Sequence, residues 1–260
     1  MSRFAAAIEV GLAGARHEIR LILTSWTGAA ILGIAQPAVL LVLVVGSVAD
    51  PAPAEVGRGV VGVALTALWS FTVWTGAGVL QGDRQQGTLA ACVIGVPDLR
   101  LVVIGRSLGV NIFAGLVVAA TMTVTLALLR QPVRVGSVGL VTLGLALVLV
   151  SSMVVGTCLS CLFLLSRFGP QISAALMYPV FLLCGLLTPL TFLPAPLRWV
   201  SDGISMRWGM RLLTEAMSGR FDPVALGMLV GLTVAYAFAG AYAFARVTDL
   251  IRREGTVELV

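Results

Sequence analysis

The residues of this chain best suited to metal or redox chemistry are four cysteines, Cys92, Cys158, Cys161 and Cys184, and a single histidine, His17. Cys158-Leu-Ser-Cys161 has the two-residue gap of a zinc or dithiol half-site. A complete site needs a second pair, and the other two cysteines stand alone, with His17 far away in sequence. The pair also falls in an apolar stretch, where cysteine packs as a small hydrophobe. We expect no metal centre. Every basic residue is arginine and lysine is absent. A phosphate-cradling Gly-x-x-x-x-Gly-Lys-Ser/Thr loop requires its lysine, so the chain is not expected to hydrolyse ATP. An intramembrane enzyme would need His, Asp or Glu clustered at one depth, which one histidine does not supply. The expectation is therefore no catalytic residue and no cofactor.

The polar residues that stand out are Gln81-Gly82-Asp83-Arg84-Gln85-Gln86-Gly87-Thr88-Leu89, between two long apolar stretches. Helix-compatible sequence continues to Val96 and is stopped by Pro97. Asp98 and Arg100 then lead into the next apolar stretch. A helix over 84–96, its start capped by the Asp83 carboxylate, is what a membrane subunit needs to take up force from a soluble partner. Arg84 and Arg100 suit ion pairs with that partner, and Leu89 and Val93 suit an apolar groove on it. The alternative for the same residues is solvated arginines at the inner leaflet and apolar side chains lying on the membrane.

These residues must be positioned by an apolar scaffold. The 260 residues are 58% hydrophobic and 11% charged, with a mean hydropathy of +1.02. Globular domains carry about 25% charged residues, so the solvent here is the bilayer. With roughly 20 apolar residues per spanning helix, the pattern gives spans at 27–49, 59–80, 107–129, 137–166, 171–187 and 224–245. Gln36-Pro37 should kink the first span. The fourth is long enough to tilt or break. Residues 3–23 are amphipathic, with Phe4, Ile8, Leu12, Ala15, Ile19 and Ile22 opposite Glu9, Arg16, His17 and Arg20. They read as an interfacial helix rather than a cleavable signal. Residues 189–222 mix apolar and charged side chains behind Pro189, Pro194 and Pro196. They read as one or two short helices dipping into the outer leaflet, with Trp199 and Trp208 at headgroup level. The expectation is a single all-α membrane domain with both termini cytoplasmic, the side favoured by the arginine count.

No charged residue falls inside these spans, whereas secondary transporters usually keep one there. An external energy source and an apolar or amphipathic cargo fit better. The neutral polar residues Asn111, Thr121, Ser152 and Tyr178 could line a path, although such residues more often hydrogen-bond between helices. Gly105-x-x-x-Gly109 and Gly227-x-x-x-Gly231 permit close helix contact. The net charge of +5 suits anionic headgroups and shows no nucleic-acid stripe.

The order of an N-terminal interfacial helix, two spans, a polar segment ending in Gly87-Thr88-Leu89, three spans, a Leu-Pro-x-x-Leu region and a last span resembles the permease subunit of type-2 ABC exporters. That family includes drug exporters of the daunorubicin kind and lipid and polysaccharide exporters. The resemblance covers essentially the whole chain. Asp83-Arg84-Gln85-Gln86-Gly87-Thr88-Leu89-Ala90 with Pro97 matches the family's polar segment in form, with Gln85, Gln86 and Ala90 where the family tends to have charge. Gly185 to Leu197 is similar to the end of its fifth span, and Ser205-Met206 replaces the Asn-Pro that often comes after it. The resemblance implies a multidrug-type exporter in the cell inner (plasma) membrane. Asp83, Arg84, Gly87, Thr88, Leu89, Val93 and Arg100 would meet separate ABC ATPase subunits, beside a second permease chain, identical or related. The alternative is an ATP-independent secondary transporter or channel.

Overall fold

The computed structural model describes residues 3–47, 52–79, 82, 99–131, 133, 135–165, 169–187, 190 and 193–254. Among them the chain is helical throughout, with no strand. The helices are α1 (Arg3–Thr24), α2 (Trp26–Ala30), α3 (Gln36–Gly46), α4 (Pro53–Phe71), α5 (Leu99–Leu129), α6 (Val138–Leu165), α7 (Gly169–Leu183), α8 (Ala195–Asp202), α9 (Ser205–Met217) and α10 (Pro223–Glu254). Among the described residues, five helical segments are long and apolar enough to cross a membrane: Trp26–Gly46, Ala54–Gly76, Leu101–Leu129, Val138–Phe163 and Pro223–Arg246. The sixth expected span, 171–187, is different. Its helix α7 has 15 residues, about 22 Å at 1.5 Å per residue, against a hydrocarbon core of about 30 Å. α6 runs unbroken.

α4 is the hub. In its span 78% of residues are buried, against 17–28% in the other four. Leu65, Leu68, Phe71 and Val73 are fully enclosed. The hydroxyls of Thr66, Ser70 and Thr72, buried with them, donate to the carbonyls four residues earlier at 2.8, 2.9 and 2.8 Å. That satisfies groups that water cannot reach. The surrounding helices turn apolar side chains outward, including Val39 and Leu43 of α3, Leu116 and Leu128 of α5, and Phe238 of α10. An apolar exterior around a packed interior whose polar groups are satisfied is what lipid, rather than water, selects.

Ahead of Pro37, where a kink is expected, a π-helical turn, Ile31–Ala35, joins α2 to α3. Pro37 has no N–H for the Gly33 carbonyl, and Thr121 Oγ1 of α5 donates to that carbonyl at 2.9 Å. A second π turn, Thr72–Gly76, comes directly after α4.

α1 is a helix as expected, but its buried stripe is Gly14, Ala15, Glu18 and Ile22, with Leu12 and Leu23 exposed. The stripe lies on α5 along the Gly105-x-x-x-Gly109 motif. A Cβ at Gly105 would overlap the Gly11 carbonyl, and one at Gly109 would come within 2.6 Å of the Ala15 carbonyl. The two backbones therefore touch directly. The second motif does not act this way, since Gly227 and Gly231 face open space.

Residues 189–222 hold two short helices, α8 and α9, among the described residues. α9 buries Met206, Trp208, Met210, Leu212, Leu213 and Ala216. It ends in a glycine cap, with Gly219 at φ +75° and the Arg220 amide reaching back to the Glu215 carbonyl at 2.9 Å, an arrangement that glycine allows without strain. Asp222 starts α10 by accepting the amides of Val224 and Ala225, each at 3.0 Å, while its other oxygen meets Arg211 Nε at 2.6 Å. The Ala225 amide, and with it the Arg211 guanidinium, holds the Asp222 carboxyl below its usual value, against the opposing effect of burial. A depressed carboxyl contributes stability above its unfolded pKa and loses it as pH falls through the folded one. We predict that thermal stability drops below about pH 4. Asp222→Asn, which keeps the capping oxygen and loses the Arg211 pair, should flatten that dependence and cost about 0–1 kcal/mol at neutral pH; an unchanged acid limb in the variant would refute the assignment.

Candidate functional site

Of the residues expected to contact an ATPase, Asp83, Arg84, Gly87, Thr88, Leu89 and Val93 lie outside the described residues. Arg100 is in the first turn of α5. The helices on either side of the segment are described. α4, the most enclosed helix, leads into it through the π turn, and α5 leaves it locked to α1. That lock is an ion pair that local sequence pattern does not reveal. Arg106 Nε of α5 donates to Glu18 Oε2 of α1 at 2.6 Å, and both side chains are 7% exposed. The pair sits beside the glycine seam, where Gly14 faces the backbone of Val102 and Arg106. Because Arg106 falls just outside the expected span 107–129, a neutral membrane core was compatible with the sequence. The helix in fact carries this charge inward and neutralises it locally.

Three of the four candidate path residues are buried and the fourth is exposed. Asn111 is buried and donates to the Ser107 carbonyl at 2.9 Å within α5. Thr121 is taken up by Gly33. Ser152 of α6 is buried, and its Oγ has no hydrogen-bond partner among the described residues. Tyr178 is 67% exposed on α7, edge-on to Phe181 at 6.2 Å. The Thr121 hydroxyl thus joins α5 to the π turn, as hydroxyl groups often do between spans, while the Asn111 bond stays within its own helix.

A large apolar recess lies elsewhere. A cleft of about 650 Å³ runs between α4, α5, α6 and α9, walled by Ala64, Leu68, Val118, Met122, Leu145 and Leu213. Small residues line part of it: Ala64 on α4, and Gly115 and Ala119 on α5. At the C-terminal end of α5 the wall becomes polar, with Arg130 and Gln131. Arg130 has φ +53°, the one non-glycine in the left-handed region among the described residues, where a side chain is sterically disfavoured. A second chamber of about 610 Å³, lined by Gly57, Arg58, Gly136, Thr214 and Ser218, adjoins the cleft and shares Val135 and Met217 with it. A search of the sequence for hydroxyls passes over this apolar recess; alanine and glycine on neighbouring spans were the available signal.

A polar knot closes the same bundle around α8 and α9. Arg207 pairs with Asp202 at 2.6 Å and donates to the Arg198 carbonyl and Ser201 Oγ, both at 3.1 Å. Ser201 in turn bonds the Leu183 carbonyl and Tyr236 bonds that of Gly203. Arg207 and Arg211 flank the Trp208 ring at 5.5 and 5.8 Å. Trp208 is consequently buried, not at a headgroup surface, while Trp199 is 83% exposed. Among the described residues no group of three metal-ligating side chains occurs, and Cys158, Cys161 and Cys184 are free thiols.

A scan against protein-family models and a search of curated proteins return no match to the chain.

Proposed function

We propose that the chain is the membrane-spanning permease subunit of a type-2 ABC exporter. In this reading it moves a hydrophobic or amphipathic substrate (a drug, natural product or lipid) out of the cell. Separate ATPase subunits grip a helix over 84–96 and supply the energy. The five long helices and the shorter α7 make six crossings of the inner membrane with both termini cytoplasmic. α1 lies along the inner face, and α8 and α9 re-enter from the outer side. A second permease chain, identical or related, completes the transporter.

The observation that carries the reading is the path of the chain through the polar segment. It leaves the most enclosed helix, α4, and returns in α5, whose early turns are fastened to α1 by the Arg106–Glu18 pair. Force applied to such a segment acts on the packed centre and on the inner edge at once. The lack of lysine fits a reading in which nucleotide chemistry belongs to another chain. The test is co-purification with a P-loop ATPase, then reconstitution of both in vesicles. ATP-driven export should require both proteins. Gly87→Pro, which breaks a helix interior, should reduce export at least about tenfold while leaving membrane insertion intact. Undiminished export by Gly87→Pro would overturn the coupling role.

The secondary-transporter or channel reading draws on the same buried Arg106–Glu18 pair, since ionisable residues at membrane depth often mark ion pathways. Substrate movement by the purified chain alone, driven by an ion gradient, would select it.

A further inference from the structure

We propose that the cleft and its adjoining chamber form one binding site for a single-chain anionic amphiphile, with the alkyl tail in the cleft and the head between Arg58 and Arg130. Five features of the site converge on this ligand. The cleft volume, about 650 Å³, falls in the range of small-molecule sites, roughly 300–1,000 Å³. Its walls along Ala64, Val118, Met122 and Leu145 are apolar, and the one hydroxyl there, Thr123, is committed to the Ala119 carbonyl at 2.8 Å. Such a wall takes a hydrocarbon tail and offers a polar ligand nothing.

The polar end has the opposite character. Arg130 closes the cleft and Arg58 lines the chamber beyond it. Arg106, Arg207, Arg211 and Arg220 are all engaged with carboxylates, whereas neither Arg58 nor Arg130 has an ion-pair partner among the described residues. The acidic neighbour Glu55 is turned to the Ala52 amide at 3.3 Å. Two uncommitted guanidiniums at the mouth of an apolar recess suit a phosphate or carboxylate.

Arg130 is also held in a backbone conformation that non-glycine residues avoid, and strain of this kind collects at ligand sites. Met217 stands where the two volumes meet. It lines both, and its Cε would lie 3.5 Å from a Cβ at Gly57. A flexible thioether at that point can swing aside for a tail. The site is independent of the exporter reading, because occupancy requires no nucleotide and no second protein.

The test uses the full chain in phosphatidylcholine nanodiscs and radiolabelled dodecyl phosphate, with empty nanodiscs as the partition control. We expect saturable binding of one molecule per chain. Dodecylphosphocholine, whose head is zwitterionic, should compete at least about tenfold more weakly, and inorganic phosphate should not compete. Arg58→Gln and Arg130→Gln should each weaken binding about tenfold, as expected for one charge-assisted contact. Ala64→Phe should abolish binding by filling the cleft. Ala119→Leu, a milder filling, covers the case in which Ala64→Phe fails to fold, and matched thermal unfolding certifies each variant. Unsaturable uptake equal to empty nanodiscs would overturn the proposal. So would full binding in both arginine variants, or full binding in a folded cleft-filling variant.

Discussion

Glu18→Ala should destabilise the protein by about 3–5 kcal/mol, the largest effect expected of any single polar substitution here. The Arg106 guanidinium is buried to the same extent as Glu18. Removing the carboxylate leaves a positive charge inside packed helices with its principal counter-charge gone. Surface pairs, such as Arg220–Glu215, whose arginine is 72% exposed, contribute about 0–1 kcal/mol, so Glu215→Ala is the proper contrast. The decisive variant is the double replacement Glu18→Leu with Arg106→Met. Exchanging a buried ion pair for apolar side chains of similar volume is often neutral or stabilising, so the double variant should recover most of the loss. Unfolding monitored by circular dichroism in mixed detergent measures all three. A Glu18→Ala protein that unfolds with the parent would show that the pair carries no structural weight.

Gly62→Ala should cost about 3 kcal/mol, at the upper end for overpacking. A Cβ there would overlap the Leu186 carbonyl oxygen. The obstacle is backbone, not the tip of a pliable side chain, and Gly185 at φ +66° fixes the turn that delivers it. Relief would require moving the end of α7 away from α4, where Leu186 is buried. Gly227→Ala, in open space on α10, should instead gain up to about 1 kcal/mol from helix propensity. Equal midpoints for the two variants would remove the close approach of α7 to α4 from the account.

The helical character of the chain and five of its membrane-length segments were legible in composition and apolar run length, because lipid imposes both. The sixth apolar run was legible as apolar, yet α7 ends at Leu183 and the chain turns through Gly185, whose left-handed conformation no hydropathy window registers. The π turns at 31–35 and 72–76 each insert about one residue into the helical repeat, rotating the succeeding turns by roughly 100°. A face drawn through them with one period is therefore smeared. Gly105 and Gly109 announced a close contact without naming the partner. The partner was α1, where Gly11, Gly14, Ala15 and Glu18 share a stripe that an amphipathic pattern divides between two faces. Glu18 and Arg106 are 88 positions apart, and local pattern does not encode such a meeting. The cleft was hidden for another reason: small apolar residues mark both tight packing and empty space, and only the third dimension separates them.

The contact of α1 with α5 has a mechanical consequence. Where main chain lies on main chain, few protruding groups interlock, so the seam resists being pulled apart far more than it resists shear. Gly11, Gly14 and Ala15 on one rail and Gly105 and Gly109 on the other make a track. The Glu18–Arg106 bridge is the pin that stops travel along it.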